Sequence, residues 1–274
     1  MDTKVKAGPI LAFERVLKAF FGNYLSMVEM ATIYNHQIVF PIGDFGEMVN
    51  YSIFGTKGLG QAGNSFDALN MSEAKACWLV QSFECLHCGS KNSYYSDSCH
   101  KCRMSGPEIR KEEISSRWGI DCRPQTTDGV MYYCLTVVES LTGNYKDKGL
   151  RLRTYSIDPD NPYFSAIVKD QAENGKSPSK NLLPFRLDFY CSMPKIHADY
   201  EITFENSQLE LNSLHFSPKG KLIDSMPISV VPKKYHGQLD IEDGQVSSLS
   251  VANIVPTTNT KLGKSRGELK RRFT

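Results

Sequence analysis

Met131-Tyr132-Tyr133-Cys134-Leu135-Thr136-Val137-Val138 and Leu150-Arg151-Leu152-Arg153-Thr154-Tyr155-Ser156-Ile157 decide the fold class. Apolar and β-branched residues recur at alternate positions in both runs. Side chains on a strand alternate between faces, so each run predicts a strand. Residues 185–191, 200–205 and 209–216 repeat the pattern. Thr142-Gly143-Asn144, Asp158-Pro159-Asp160-Asn161-Pro162 and Asn174-Gly175-Lys176-Ser177-Pro178 lie between them and supply turn residues. The expected product over residues 118–236 is an antiparallel sheet or a small barrel. Residues 167–172 fit a short helix between strands.

Upstream the period changes. Ile10, Phe13, Leu17, Phe20, Tyr24 and Val28 recur at helical steps behind Pro9. They predict an opening helix whose stripe packs on its own core, with Gly22-Asn23 as a kink or an end. Residues 37–41 and 51–54 read as short strands. Gly58, Gly60 and Gly63 spell GxGxxG, but no βαβ rhythm follows, so the reading is a mobile glycine loop. Asn70-Met71-Ser72-Glu73 has the form of a capping box and predicts a helix over 74–83. Trp78 and Val80 are expected to pack the following cysteine cluster onto the body. After His236 the chain turns polar, and a flexible tail is expected. The chain thus reads as α+β, divided into 1–70 (helix, short strands, glycine loop), 71–117 (helix and cysteine module), 118–236 (β-rich) and 237–274 (tail).

Cys85-Leu86-His87-Cys88-Gly89 and Cys99-His100-Lys101-Cys102 form two C-x2-C pairs ten residues apart. Each pair can turn two sulfurs toward one point, and four thiolates suit a tetrahedral metal with no open position. The segment resembles a zinc ribbon. That resemblance covers residues 85–102 and implies one Zn2+ per chain, held by Cys85, Cys88, Cys99 and Cys102. An iron–sulfur cluster is the rival metal, since thiolates bind those too. His87 and His100 lie inside the knuckles and are not assigned as ligands. The site is either a structural staple or the core of a module that touches nucleic acid or protein. No secretory segment is seen, so a reducing, intracellular setting is expected rather than disulfides, with no membrane association.

Charge limits the partners. The chain has 274 residues with 41% hydrophobic and 23% charged, which excludes a wholly disordered chain, a collagen or a coiled-coil rod. Lys+Arg number 32 and Asp+Glu 30. Beyond Pro256, six basic residues face Glu268, so the tail is +5 and the body, with 26 against 29, is −3. A uniformly basic nucleic-acid coat is excluded, and contact must come from patches. Lys101 and Arg103 beside Tyr94 and Tyr95 form one candidate patch. Arg151, Arg153 and Tyr155 share a strand face and form a second, with Leu150 and Leu152 turned the other way. Lys264, Arg266, Lys270, Arg271 and Arg272 in the tail form a third.

Catalytic signals are sparse. No Ser-His-Asp order, HExxH or deaminase H-x-E signature is present. Asp158-Pro159-Asp160 reads as a turn. Cys191 and His197 are neighbours in sequence only. A metal-dependent nuclease needs clustered acids and usually a lysine. Glu73-Ala74-Lys75 and Glu268-Leu269-Lys270 have the E-x-K spacing, but the first falls on the expected helix and the second in the tail. The expected function is therefore a non-catalytic, zinc-containing nucleic-acid-binding subunit of a replication, recombination, transcription or mobile-element assembly, alongside other protein subunits. The alternatives are a scaffold protein whose ribbon and tail bind proteins, and a metal-dependent nuclease.

Overall fold

A computed structural model describes residues 8–34, 41–59, 67–78, 80–94, 96–114, 120–122, 129–141, 149–161, 194–205 and 208–222, with short pieces between and beyond them. Most of the expected strand at 37–41, the strand at 185–191, most of the helix at 167–172, Gly60 and Gly63, and the basic residues of the tail lie outside the described residues. Residues 241–242 and 245–247, expected to be flexible tail, are instead short strands paired with 225–227. Two helices, α1 (Pro9–Tyr34) and α2 (Ile42–Phe54), precede the strands. These are β1 (Ser72–Trp78), β2 (Val80–Cys85), β3 (Lys91–Ser93), β4 (Arg110–Ile114), β5 (Ile120–Asp121), β6 (Tyr132–Ser140), β7 (Gly149–Ile157), β8 (Asn181–Leu182), β9 (Lys195–Glu205), β10 (Gln208–Leu222), β11 (Ser225–Pro227), β12 (Ile241–Glu242) and β13 (Gln245–Ser247). The main sheet has five strands in the order β1-β6-β7-β9-β10. β1 runs parallel to β6, and every other neighbour is antiparallel. The described strands form an open α+β sheet and no closed barrel.

The opening helix forms as its stripe predicts, but it runs through Gly22-Asn23 without ending. Residues 51–54 are not a strand. They finish α2, because Phe45, Val49 and Ile53, four residues apart, form a buried helical stripe. Gly55, at φ +63°, closes that helix in the left-handed conformation that favours glycine. Both helices cover one face of the sheet. Phe13 meets Tyr200 with ring centroids 5.2 Å apart, and Phe20 stacks on Phe45 at 4.1 Å. Trp78 stacks on Tyr24 at 5.0 Å and meets Phe21 edge-on. Trp78 therefore fastens β1 to α1 rather than the cysteine cluster to the body.

The expected helix over 74–83 is absent. Residues 72–78 instead take a strand register on β6, from Ser72 opposite Tyr132 to Trp78 opposite Val138. Met71 is left-handed at φ +57°, which breaks the helical start. At the outer edge of β1 the Ala74 amide donates to Asp67 Oδ2 at 2.8 Å. Partners distant in sequence thus override the local capping pattern. Gly46 of α2 lies against β1 so closely that a Cβ there would sit 2.7 Å from the Ala76 Cβ.

The register confirms that Arg151, Arg153 and Tyr155 share a face, but it is not an open one. Arg153 is 2% exposed and Tyr155 4%. Arg151 donates to both carboxylate oxygens of Asp199, at 2.9 and 2.7 Å, and Arg153 pairs with Glu139. Charges that read as a solvated strand face are cross-strand ion pairs beneath a cover. A nucleic-acid role for Arg153 and Tyr155 is corrected on that ground. Replacing Arg153 by Ala should cost about 3–5 kcal/mol, because it leaves the Glu139 carboxylate unpaired in the interior. Urea unfolding measures this. Arg153→Met with Glu139→Leu should recover most of the loss, whereas a stable Arg153→Ala chain would contradict the buried pair.

Candidate metal centre and carboxylate–lysine site

The four-cysteine module is a three-stranded sheet, β3-β2-β4, with Phe83, Cys85, Cys99 and Ile109 as its small core. Two matching knuckles carry the sulfurs. The Gly89 amide donates to Cys85 O at 2.7 Å, and the Arg103 amide donates to Cys99 O at 2.9 Å. The residue after each pair is left-handed, Gly89 at φ +70° and Arg103 at φ +63°. The four sulfurs lie within 4.8 Å of one another. Cys85 and Cys102 are 3.7 Å apart, and Cys88 and Cys99 are 3.5 Å apart. These separations are too long for disulfides. They match the edge of a tetrahedron, roughly 3.8 Å, around an ion with ~2.3 Å bonds to sulfur. The four cysteines can hold a metal ion.

Polar neighbours that the spacing did not reveal serve this cluster. Ser90 Oγ lies 3.1 Å from Cys88 Sγ and 3.0 Å from Cys99 Sγ. Buried Asn92 accepts the His100 amide at 2.8 Å, and its Oδ1 lies 2.8 Å from His100 Nδ1. Burial pushes the Cys99 thiol up, but the Cys102 amide, Ser90 and the Lys101 amide outweigh it and bring Cys99 down to about 5. The Met104 amide favours thiolate at Cys102, yet burial and the sulfurs of Cys99, Cys85 and Cys88 push it up to about 12. Four sulfurs crowded this way ionise together only with a cation between them.

Lys101 and Arg103 are exposed on the second knuckle. Tyr94 is buried, so it offers no stacking surface, and Tyr95 lies outside the described residues. Arg110 stacks 3.8 Å over the Phe83 ring and donates to the carbonyls of Ser96 and Tyr94, which ties the module together. Of the three candidate patches, only the knuckle lies open among the described residues.

A second cluster stands on β1, where the helix reading had dismissed it. Residues two apart on a strand share a face, so Glu73 and Lys75 lie side by side, and Lys75 Nζ rests on the Glu73 carboxylate. Asp67, at the edge of the sheet, accepts the amide of the intervening Ala74 at 2.8 Å. On α2, Glu47 accepts from the Tyr51 hydroxyl at 3.0 Å, and that hydroxyl also lies 3.3 Å from the Asp67 carbonyl. Burial pushes the Glu73 carboxyl up. Lys75 opposes this and Asp67 adds to it, leaving Glu73 at about 7. Burial, then Glu47 and Asp67, push Tyr51 up to about 12, so it remains a donor. Two carboxyl groups and an ammonium thus stand near one another at this edge of the sheet. The E-x-K spacing was the available signal, and placing it on a helix concealed it.

No protein-family model, no curated protein and no solved structure matches this chain. No described helix is long and apolar enough to cross a membrane.

Proposed function

We propose that this chain is a metal-dependent nuclease carrying a zinc-binding four-cysteine module. The observation that carries the reading is the Glu73–Lys75 pair on one face of β1, with Asp67 held beside it by the Ala74 amide. Oxygen ligands of this kind favour Mg2+, while the four thiolates favour Zn2+, so the two sites select different metals. Asp67 and Glu73 would hold such a cation, which would supply positive charge to a scissile phosphate and acidity to a water. Glu73 must be ionised to hold it. Lys75, anchored on Glu73, steadies the phosphate or the attacking water and offsets developing negative charge. The open knuckle residues Lys101 and Arg103 support phosphate contact by the module.

The test incubates the protein with long, mixed-sequence duplex DNA, single-stranded DNA and RNA in Mg2+ or Mn2+. The expected result is metal-dependent cleavage of at least one substrate, lost in Glu73→Gln. Binding without any cleavage by the parent protein would favour a non-catalytic nucleic-acid-binding subunit. Neither binding nor cleavage would favour a protein scaffold.

A further inference from the structure

At the end of the main sheet, Phe54, Tyr132, Ser156, Lys195, His197 and Lys219 line a cleft of about 610 Å3. Small-ligand pockets span roughly 300–1,000 Å3, so a nucleotide fits. The floor of the cleft is fixed. His197 Nδ1 donates to Ser217 O at 3.2 Å, which leaves Nε2 to accept from Ser156 Oγ at 2.7 Å. Burial holds the imidazole down at about 4, so it is neutral. Phe54 meets the ring edge-on at 4.8 Å. Gly220, at φ +67°, lies so close that a Cβ there would sit 2.6 Å from His197 Cε1.

The rim is polar and unsaturated. Lys195 and Lys219 are exposed, and neither forms an ion pair with a described residue. Asp158 and Asp160 also line the cleft, with Asp158 Oδ1 accepting the Asp160 amide at 2.9 Å. Rim carboxylates can accept from base amino groups. The wall also joins the carboxylate–lysine site. Asn70 donates to the Tyr132 hydroxyl, and the Met131 amide donates to Met71 O at 2.9 Å. Those partners lie three and two residues before Glu73. Between the two sites, Leu69, Met71 and Met131 are 61%, 41% and 59% exposed. Exposed Leu and Met can wedge between bases.

We propose that this cleft receives a nucleotide of the nucleic-acid strand beside the bond to be cut. Lys195 and Lys219 hold its phosphates, and the Phe54–Tyr132 wall holds its base. The inference rests on the nuclease reading, and it names the substrate contact of that same site.

Fluorescence anisotropy with short labelled DNA, as duplex and as single strand, tests the cleft, with an RNA strand of the same sequence in parallel. Binding is measured in the Glu73→Gln chain so that cleavage does not intervene. Adding Lys195→Ala and Lys219→Ala should weaken binding at least tenfold at low salt. It should also reduce the slope of log K against log salt by about 1.8 for duplex, the value for two lost phosphate contacts. Tyr132→Ala should weaken single-strand binding more than duplex binding, since stacking needs an open base face. A folded lysine variant with the parent's affinity and slope overturns the cleft. Cleavage by the chain with Glu73 intact, measured alongside, judges the nuclease reading separately. Cleavage with an unchanged slope removes the cleft and keeps the nuclease. A reduced slope in a chain that never cleaves removes the nuclease. No binding by the parent removes both.

Discussion

Glu73→Gln is expected to abolish cleavage, by at least ~1,000-fold, and to make the folded chain more stable above pH 7. The two effects share a cause. Burial first, then Asp67, hold the Glu73 proton in the folded state up to about pH 7, against a Lys75 contact that works the other way. A carboxyl whose folded pKa is raised destabilises the fold as pH climbs from its unfolded value of 4.5 through 7. At about 1.4 kcal/mol per pH unit the cost approaches ~3 kcal/mol at most. Glutamine has no such charge to bury. The variant should match the parent near pH 4.5, pull ahead between pH 5 and 7.5, and stay ahead by about 1–2 kcal/mol after losing its contact with Lys75. Urea titrations from pH 4.5 to 8.5 read this directly. A variant that is less stable at pH 8 would make Glu73–Lys75 an ordinary structural ion pair. Lys75→Ala should also lose cleavage, without the gain in stability.

The second large effect lies in the module. Purified protein should carry one zinc per chain, and Cys99→Ser or Cys88→Ser should lose it. Structural zinc contributes about 10–16 kcal/mol to small modules, far beyond what the Phe83–Ile109 core can supply. Hydrogen exchange should therefore show residues 80–114 losing protection while β6 and β7 keep theirs. Trp78 should stay in place, because its partners are Tyr24 and Phe21 on α1. Full metal retention in both variants would remove the site. A coloured protein with iron and acid-labile sulfide would replace zinc by a cluster.

The legible parts of the sequence were those whose cause is local. Two C-x2-C pairs must bring four sulfurs near one another, and they do. The runs at 131–138 and 150–157 must be strands, and β6 and β7 formed there. What stayed hidden depends on partners far along the chain. Ser72 to Trp78 is a strand because β6, some sixty residues later, receives it. Arg151 looks solvent-facing until Asp199 arrives on β9. The Asp67–Glu73–Lys75 meeting was within reach of its spacing, but only once β1 is a strand and α2 docks through Gly46.

The short link between β1 and β2 carries one more consequence. Lys75 and Cys85 lie on successive strands separated by a single residue, so at most about 33 Å of extended chain connects them. One turn of duplex is about 34–36 Å. In a nuclease built this way, Lys101 and Arg103 ride on a module joined to the cutting edge by a short stretch of chain. That stretch works as a ruler: what the knuckle grips lies within about one helical turn of the phosphate that is cut.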